Sequence, residues 1–299
     1  MNSKKKFFTR RRVVLLALLA AVLVLAGFAL DSRLLVQYYT VETDKINSPV
    51  RIALVTDLHS CYYGENQSDL IRTIDEQKPD ILLLGGDIFD DVKENTNTEL
   101  FLQGIAGRYP CYYVTGNHEC WSGTEGFARQ MAMLEKHGVR ILSGEAVTLT
   151  VNGETFNLCG IDDPQVFVVE PYAEPRPGEY LDEYGNKMVD YTERLNTAVG
   201  QAQEGYCTVL LSHRPEFFEL YQKYDVDLVL CGHTHGGQWR IPYLLNGLVA
   251  PHQGFFPKYA GGRYDAENMT MIISRGLARE TTKIPRVFNR PELVIVELE

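Results

Sequence analysis

The chain of 299 residues lacks several features that would place it in a specialised structural class. It has no collagenous or low-complexity tract and no internal repeat, which argues against triple-helical, disordered and solenoid architectures. Its six cysteines include no CxxC pair, so their spacing gives no support to a thiolate zinc site. Apolar residues make up 45 % and charged residues 23 %, which is ordinary for a globular domain.

The first thirty residues lack acidic side chains. Their three lysines and three arginines sum to +6, so the net charge of −10 leaves −16 for the remainder of the chain. A remainder that acidic lacks the basic surface that non-specific duplex binding requires, and we expect no nucleic-acid partner. Some of the acids could instead be metal ligands, whose charge the bound ions would offset.

An apolar run of 18 residues, Val13–Leu30, follows the basic cluster. Its length is near the lower limit for a bilayer span, and the positive charges favour a cytoplasmic N-terminus. We predict that residues 1–30 are a membrane anchor or signal segment and that the rest lies outside the cytoplasm. Cleavage after Gly27-Phe28-Ala29 and twin-arginine export through Arg10-Arg11-Arg12 stay open as alternatives.

Short apolar runs alternate with helical patterns along the remainder. We interpret residues 31–49 as a linker with a first strand, and residues 50–299 as one catalytic domain. Buried strands are predicted at 50–56, 81–84, 111–114, 207–211 and 228–231, and helices at 67–77, 97–107, 123–137, 192–202 and 215–223. This order predicts a layered α/β protein with a mixed sheet or a sandwich. Residues 164–190 read as a long loop, for which a lid is one role.

Polar clusters follow the C-terminal ends of five of these strands. In an open α/β sheet, sites form at the carboxyl ends of the strands, so we expect the five loops to converge on one crevice. Each residue alone has an ordinary explanation, such as a helix cap or a surface histidine. No explanation of that kind accounts for all five clusters, each of which follows a different strand. The residues concerned are Asp57, His59, Asp87, Asn117, His118, His213, His233 and His235.

Oxygen and imidazole donors in one crevice are typical of sites for Zn, Fe, Mn or Co. Two such ions, about 3.5–4 Å apart, form the usual clamp for hydrolysing a phosphoester. We therefore predict two divalent metal ions, either Mn, Fe or Zn, and a phosphate-ester substrate.

The same clusters resemble the motifs of the calcineurin-like metallophosphoesterase superfamily, in its bacterial membrane-associated or exported branch. The resemblance covers about residues 50–299 and implies an α/β/β/α sandwich of mixed sheets with the metal site at the C-terminal strand ends. The motifs are Asp57-Leu58-His59, Gly86-Asp87-Ile88-Phe89-Asp90, Gly116-Asn117-His118-Glu119, Ser212-His213, Gly232-His233-Thr234-His235-Gly236-Gly237-Gln238, Ser274-Arg275-Gly276 and residues 286–292.

The resemblance also implies a role for each motif residue. His118 would stabilise the phosphoryl group or protonate the leaving group. Glu119 stands where many members have Asp, and from the second coordination shell it would orient that histidine. Asp90 would be a second-shell or helix-capping residue. Asp57, His59 and His235 would bind the first metal, Asp87 would bridge both metals, and Asn117, His213 and His233 would complete the second site.

The predicted activity is metal-dependent hydrolysis of a phosphodiester or pyrophosphate by a water molecule that two metals activate. The anchor argues for a lipid-linked or cell-envelope substrate. A phosphomonoesterase, a nucleotide phosphodiesterase and a non-catalytic scaffold of the same fold stay as alternatives, and we expect a monomer. Arg275 and Arg286 could bind phosphate or form salt bridges. We interpret His137 and His252 as structural, and Cys111 with Cys120 as the one candidate disulfide.

Overall fold

The computed structural model of the chain describes residues 2–166, 179–181, 187–189, 191–279 and 284–299. The chain begins with a long helix, α1, Asn2–Ala29. Within it, Arg11–Ala29 is long and apolar enough to cross a membrane, and its side chains are largely exposed. The described residues include one such helix. A helix that exposes so many apolar side chains to water needs an apolar partner, and a bilayer is one.

The first sheet has six strands in the order β1-β16-β2-β3-β4-β5. Strands β2 to β5 run parallel to one another, so their carboxyl ends meet at one edge. The last strand lies antiparallel to β2 and parallel to β1, which makes the sheet mixed. The strands are β1 (Leu35–Val41), β2 (Val50–Val55), β3 (Ile81–Gly85), β4 (Cys111–Val114), β5 (Arg140–Ile141) and β16 (Glu292–Leu298).

The second sheet also has six strands, in the order β14-β15-β11-β10-β7-β6. Its four central strands are parallel, and an antiparallel strand closes each edge. The strands are β6 (Glu145–Val151), β7 (Glu154–Gly160), β10 (Cys207–Leu211), β11 (Leu228–Cys231), β14 (Gly262–Asp265) and β15 (Thr270–Ile273).

Helices cover the outer face of each sheet. Further elements include α4 (Asn117–Trp121) and two small antiparallel pairs, β8 (Glu179–Leu181) with β9 (Lys187–Val189) and β12 (Val249–Ala250) with β13 (Gly254–Phe255). The covering helices are α2 (Ser68–Gln77), α3 (Thr96–Ile105) and α5 (Gly123–Lys136) on the first sheet, and α6 (Tyr191–Val199) and α7 (Phe218–Tyr221) on the second.

Alternation along the strands builds three apolar layers. In β2, Ile52 and Leu54 point into the layer between the sheets, where they join residues of both. Ala53 and Val55 point the other way, into the layer beneath the helices of the first sheet. A third layer packs the second sheet against α6 and α7. The predicted α/β/β/α sandwich of mixed sheets is confirmed.

Two predicted elements differ from the structure. Residues 164–190 are not loop throughout, because β8 and β9 pair as a short antiparallel hairpin. Most of that segment, and the side chains on which a lid would depend, lie outside the described residues. The predicted helix over 215–223 is a 3₁₀ turn at Pro215–Phe217 followed by the short α7. Proline at the first position favours the start of a helix but gives no information on its length.

The candidate disulfide is absent. Cys111 and Cys120 form no disulfide, and all six cysteines are buried. Burial raises the pKa of the Cys111 and Cys120 thiols, so neither is a reactive thiolate. These cysteines act as small apolar side chains.

Candidate metal centre

The five loops converge at the carboxyl ends of β2, β3, β4, β10 and β11, as the strand pattern predicts. Parallel pairing within each sheet brings these ends to one edge, and the sandwich sets the two edges side by side. Seven of the eight predicted site residues are buried, and His118 is half-buried. The structure therefore brings the whole predicted set together.

The first group consists of Asp57, His59 and His235. One ligand atom of each lies within 4.8 Å of the others. All three have left-handed backbones, with φ of 50°, 46° and 47°. That conformation costs about 1–3 kcal/mol for a residue other than glycine and is commonly kept at functional sites. Backbone strain at three neighbouring residues of metal-ligand type therefore supports a binding site at this place.

The second group consists of Asp87, His213 and His233, again with ligand atoms within 4.8 Å. The Nδ1 atom of His213 donates to the Gly85 carbonyl at 2.7 Å, which turns Nε2 towards Asp87. Oδ2 of Asp87 lies 3.1 Å from that Nε2 and 3.7 Å from Nε2 of His59. One carboxylate oxygen thus lies between the two groups.

Unpartnered ligand atoms show that the pocket fits metal ions. Among the described residues, Nε2 of His59, Nδ1 of His235 and Oδ1 of Asn117 are buried without a hydrogen-bond partner. A buried polar atom left unpaired costs about 1–3 kcal/mol. Three such atoms, all of them ligand atoms that divalent transition metals accept, fit a pocket built for cations.

The charges of the metal-free site partly balance one another. Burial is the largest single effect and lowers the pKa of His213, but the carboxylates around it, Asp87 foremost, together outweigh burial and raise that pKa to about 10. Burial would raise the pKa of Asp87, yet the histidines around it, His213 foremost, hold it well below its usual range. Without a cation, a proton on His213 therefore neutralises Asp87.

His118 lies at the mouth of the site, with its ring 4.3 Å from the ring of His59. Its Nδ1 atom lies 2.6 Å from Oδ1 of Asp91, and its backbone N–H donates to Oδ1 of Asp87 at 2.8 Å. Burial lowers the pKa of His118, but Asp87 and the contact with Asp91 outweigh burial and raise that pKa to about 9. The ring is thus held as an imidazolium with Nε2 directed away from Asp91.

The role predicted for Glu119 is wrong. Its carboxylate does not contact His118; it accepts hydrogen bonds from the backbone N–H groups of Asp87, Ile88, Phe89 and Gly116 at 2.8–3.0 Å. Glu119 therefore joins the loops after β3 and β4, and Asp91 is the residue that orients the histidine. Asp90 accepts from the backbone of Val92 and Lys93 at 2.9 and 2.7 Å, and its Oδ2 lies 3.4 Å from Nδ1 of His59, which agrees with the second-shell position predicted for it.

Besides Asp91, three residues at the site were missed by the sequence pattern, namely Arg214, Asp163 and His252. Arg214 is fully buried and bound by both Asp163 oxygens, with Nη2 to Oδ1 at 2.9 Å. Its Nη1 lies 3.1 Å from Nε2 of His233 and 2.7 Å from Nδ1 of His252. His252, which we interpreted as structural, lies with Nδ1 3.1 Å from Nε2 of His233. Asp163 stands three residues beyond β7 and Arg214 directly after His213, so the strand pattern carried a signal for both, whereas His252 follows only the two-residue strand β12.

Arg275 and Arg286, for which either phosphate binding or a salt bridge was predicted, differ in their hydrogen-bond partners. Arg275 pairs with Glu292, whose Oε2 lies 2.6 Å from Nε, so it forms the salt bridge of the fold. Arg286 is buried and donates to the carbonyl of Arg275 at 2.7 Å. Its Nε and Nη1 atoms have no hydrogen-bond partner among the described residues, and burial lowers the pKa of Arg286 to about 10.

Comparison with known proteins gives one consistent result. A model of the calcineurin-like phosphoesterase family matches residues 50–237. A metallophosphoesterase of Helicobacter pylori is 28 % identical over 199 residues, which are 65 % of this chain and 47 % of that protein. A metallophosphoesterase of Campylobacter jejuni is 30 % identical over 87 % of this chain and 62 % of its own length. The chain therefore spans about half the length of the Helicobacter relative.

A third relative matches along most of both chains. The phosphodiesterase YaeI of Escherichia coli is 27 % identical over 255 residues, 84 % of this chain and 83 % of its own length.

Proposed function

Because the chain belongs to the calcineurin-like phosphoesterase family, we propose that it hydrolyses a phosphodiester or pyrophosphate with two divalent cations held by the converging loops. The position of Asp87 carries this proposal. Its Oδ2 atom lies 3.1 Å from His213 and 3.7 Å from His59, so one carboxylate can serve a cation in each group. Members of this fold normally use two divalent metals, which agrees with two groups that meet at one carboxylate.

The residues divide between two cation sites. Asp57, His59 and His235 would hold one cation; His213, His233 and Asn117 would hold the other; Asp87 would contact both. When bound, the two cations would neutralise the phosphoryl oxygens and lower the pKa of the attacking water. Mixed nitrogen and oxygen donors suit Mn, Fe or Zn.

His118 supplies the proton in this proposal. Asp91 accepts the Nδ1 proton at 2.6 Å, which keeps the ring charged and leaves Nε2–H to face the crevice. In the metal-free site Asp87 and Asp91 raise the pKa of His118 to about 9, and the hydrogen bond to Asp91 would continue to favour the charged ring when cations offset Asp87. A charged imidazole at the mouth of the site can donate to the leaving oxygen as it departs and can stabilise the developing negative charge.

A phosphodiester is the substrate class we favour. The relative from Escherichia coli that matches most of both chains is named a phosphodiesterase. Helix α1 supports a substrate at the membrane, because Arg11–Ala29 can span a bilayer and the lysines and arginines at its start favour a cytoplasmic N-terminus. The catalytic domain would then face the outside, and its substrate would be a lipid-linked or cell-envelope phosphate.

Hydrolysis of two chromogenic esters tests the proposal. The full chain, stripped of metal and then loaded with Mn²⁺ or Zn²⁺, is assayed with bis-p-nitrophenyl phosphate and p-nitrophenyl phosphate. We expect metal-dependent cleavage of the diester and its loss in Asp87→Asn. Preference for the monoester would favour a phosphomonoesterase. Folded, metal-loaded protein that cleaves neither ester would contradict the proposal and favour a scaffold.

A further inference from the structure

The junction between α1 and the catalytic domain is tightly bonded. The carbonyl of Ala29 accepts a hydrogen bond from the backbone N–H of Phe288 at 2.6 Å. A few residues further on, Arg290 donates to the carbonyls of Arg33 and Leu34, both at 2.9 Å. With its first residues bonded in this way, the domain cannot turn freely about α1. The surface around Ala29 therefore faces the same medium as the end of the helix.

A loop with exposed apolar side chains lies at that junction. One cleft is lined by Phe28, Pro242 and Phe288, and a neighbouring cleft by Pro242, Phe288 and the loop residues Tyr243 and Leu244. In this loop Tyr243 is fully exposed, Leu244 is 85 % exposed and Ile241 is 50 % exposed. Large apolar side chains gathered at one place on a surface mark an interaction site.

The same loop is joined to the metal centre. Val287 donates its backbone N–H to Gln238 at 3.1 Å, and Arg240 donates to Val287 at 2.9 Å. Asn289 donates its side-chain amide to the carbonyl of His235 at 2.7 Å. Only a few residues therefore separate a ligand-type histidine from the exposed loop and from the end of α1.

We propose that Trp239, Ile241, Tyr243 and Leu244, which we call the apolar loop, insert into the bilayer beside α1 and hold the metal centre at the membrane surface. The span ends at Ala29, so residues that contact Ala29 and Phe28 lie at the level where the helix leaves the lipid. Tryptophan and tyrosine are enriched at that level because their rings are amphipathic. A lipid surface therefore fits both the side chains of the apolar loop and its position at the end of α1.

Resting on the proposed function, this placement makes the substrate a phosphate carried at the headgroup level of the outer leaflet. The metal-ligand loop and the apolar loop are consecutive in the chain, so a bilayer that receives one is close to the other. Docking itself needs no hydrolysis and can be tested without any substrate.

Fluorophore quenching in vesicles tests the docking. All six native cysteines are buried, so single surface cysteines can be labelled in the full chain. Tyr243→Cys and Leu244→Cys report on the apolar loop. Val22→Cys reports on α1, and Asn152→Cys, in the turn before β7, reports on the edge of the second sheet opposite the metal centre. Each chain is placed in phosphatidylglycerol vesicles with brominated acyl chains, or in unbrominated vesicles with added iodide.

We expect bromine to quench the labels at positions 22, 243 and 244, and iodide to quench the label at 152. Iodide quenching at 243 and 244 as strong as at 152 would overturn the proposal. Labels at 243 and 244 that neither agent reaches would overturn it in favour of a second copy of the chain. A label at 22 that bromine does not quench would overturn both docking and anchoring. Chromogenic ester cleavage, measured separately, reports on the proposed function alone.

Discussion

Nδ1 of His118 lies 2.6 Å from Oδ1 of Asp91, a contact that links the proposed proton donor to a carboxylate on the loop after β3. Asp91 stands one residue beyond the Gly-Asp motif and was not among the predicted site residues. The carboxylate fixes the tautomer and the orientation of the ring, so it acts through His118 as a positioning residue.

Replacing this carboxylate should slow turnover without loss of metal. We expect Asp91→Asn to lower kcat about 10- to 100-fold, because it leaves His118 less well oriented and less basic. The alkaline limb of the pH–rate profile should move to lower pH, since a carboxylate that raises the pKa of His118 is gone. Glu94→Gln, on the exposed part of the same loop, is the matched control and should leave the profile unchanged.

His252 should control affinity for one metal more than for the other. A metal-bound histidine almost always gives its second ring N–H to an acceptor. Nε2 of His233 lies 3.1 Å from both Nη1 of Arg214 and Nδ1 of His252, and arginine can only donate, so an Nε2–H of His233 would share the Nδ1 lone pair of His252 with Arg214 at 2.7 Å. We expect His252→Ala to weaken the binding of one Mn²⁺ roughly 10-fold, as measured by calorimetry.

Two further variants serve as controls for the Mn²⁺ affinity of His252→Ala. His252→Asn retains an acceptor and should recover part of the affinity. His137→Ala removes a histidine at the C-terminal end of α5, away from the five loops, and should bind both cations as wild type does. Equal affinities in His252→Ala and wild type would contradict the role of His252.

Glu119 should matter more for stability than for catalysis. Its carboxylate satisfies four backbone N–H groups in buried loops. Loss of one partner from a buried donor costs about 1–3 kcal/mol, so Glu119→Ala should lower the free energy of unfolding by at least about 3 kcal/mol. The measurement is urea unfolding of the metal-free chain in detergent. Glu119→Gln should lose less, and Glu125→Ala, with its side chain 94 % exposed, should lose almost nothing.

Metal binding should release protons near neutral pH. The pKa of His213 is raised to about 10 without metal, so at pH 7 its Nε2 carries a proton that points at Asp87. A cation needs that lone pair, and the proton must leave. Affinity should therefore rise with pH up to the pKa of His213. Calorimetric titration in two buffers of different ionisation enthalpy measures the release; identical heats in both buffers would contradict it.

The sequence was most informative where chemistry and strand pattern coincide. Asp57, Asp87 and His213 each follow an apolar strand, and parallel strands must end at a shared edge, so their convergence followed from local pattern alone. The sandwich itself required the family resemblance, since alternation within a buried strand such as β3 is hidden when both faces are apolar.

Contacts between residues far apart in the sequence could not be predicted from the pattern of strands. Asp163 binds Arg214 from 51 residues away, and His252 reaches His233 from the turn after β12, a two-residue strand that the sequence pattern does not reveal. The partner of a side chain depends on how loops from two sheets fold over one another, which no local spacing encodes. Glu119 shows the same limit, because the family resemblance implied a contact with His118 that its carboxylate, bound to four backbone N–H groups, does not make.

The most direct test of the account is the number of Mn²⁺ ions that each chain binds at saturation, measured by equilibrium dialysis and elemental analysis. The wild type should bind two ions. His235→Ala, which disturbs the group of Asp57 and His59, and His213→Ala, which disturbs the group of Asp87 and His233, should each bind one. A wild-type chain that binds one ion or none, or variants that still bind two, would contradict the account.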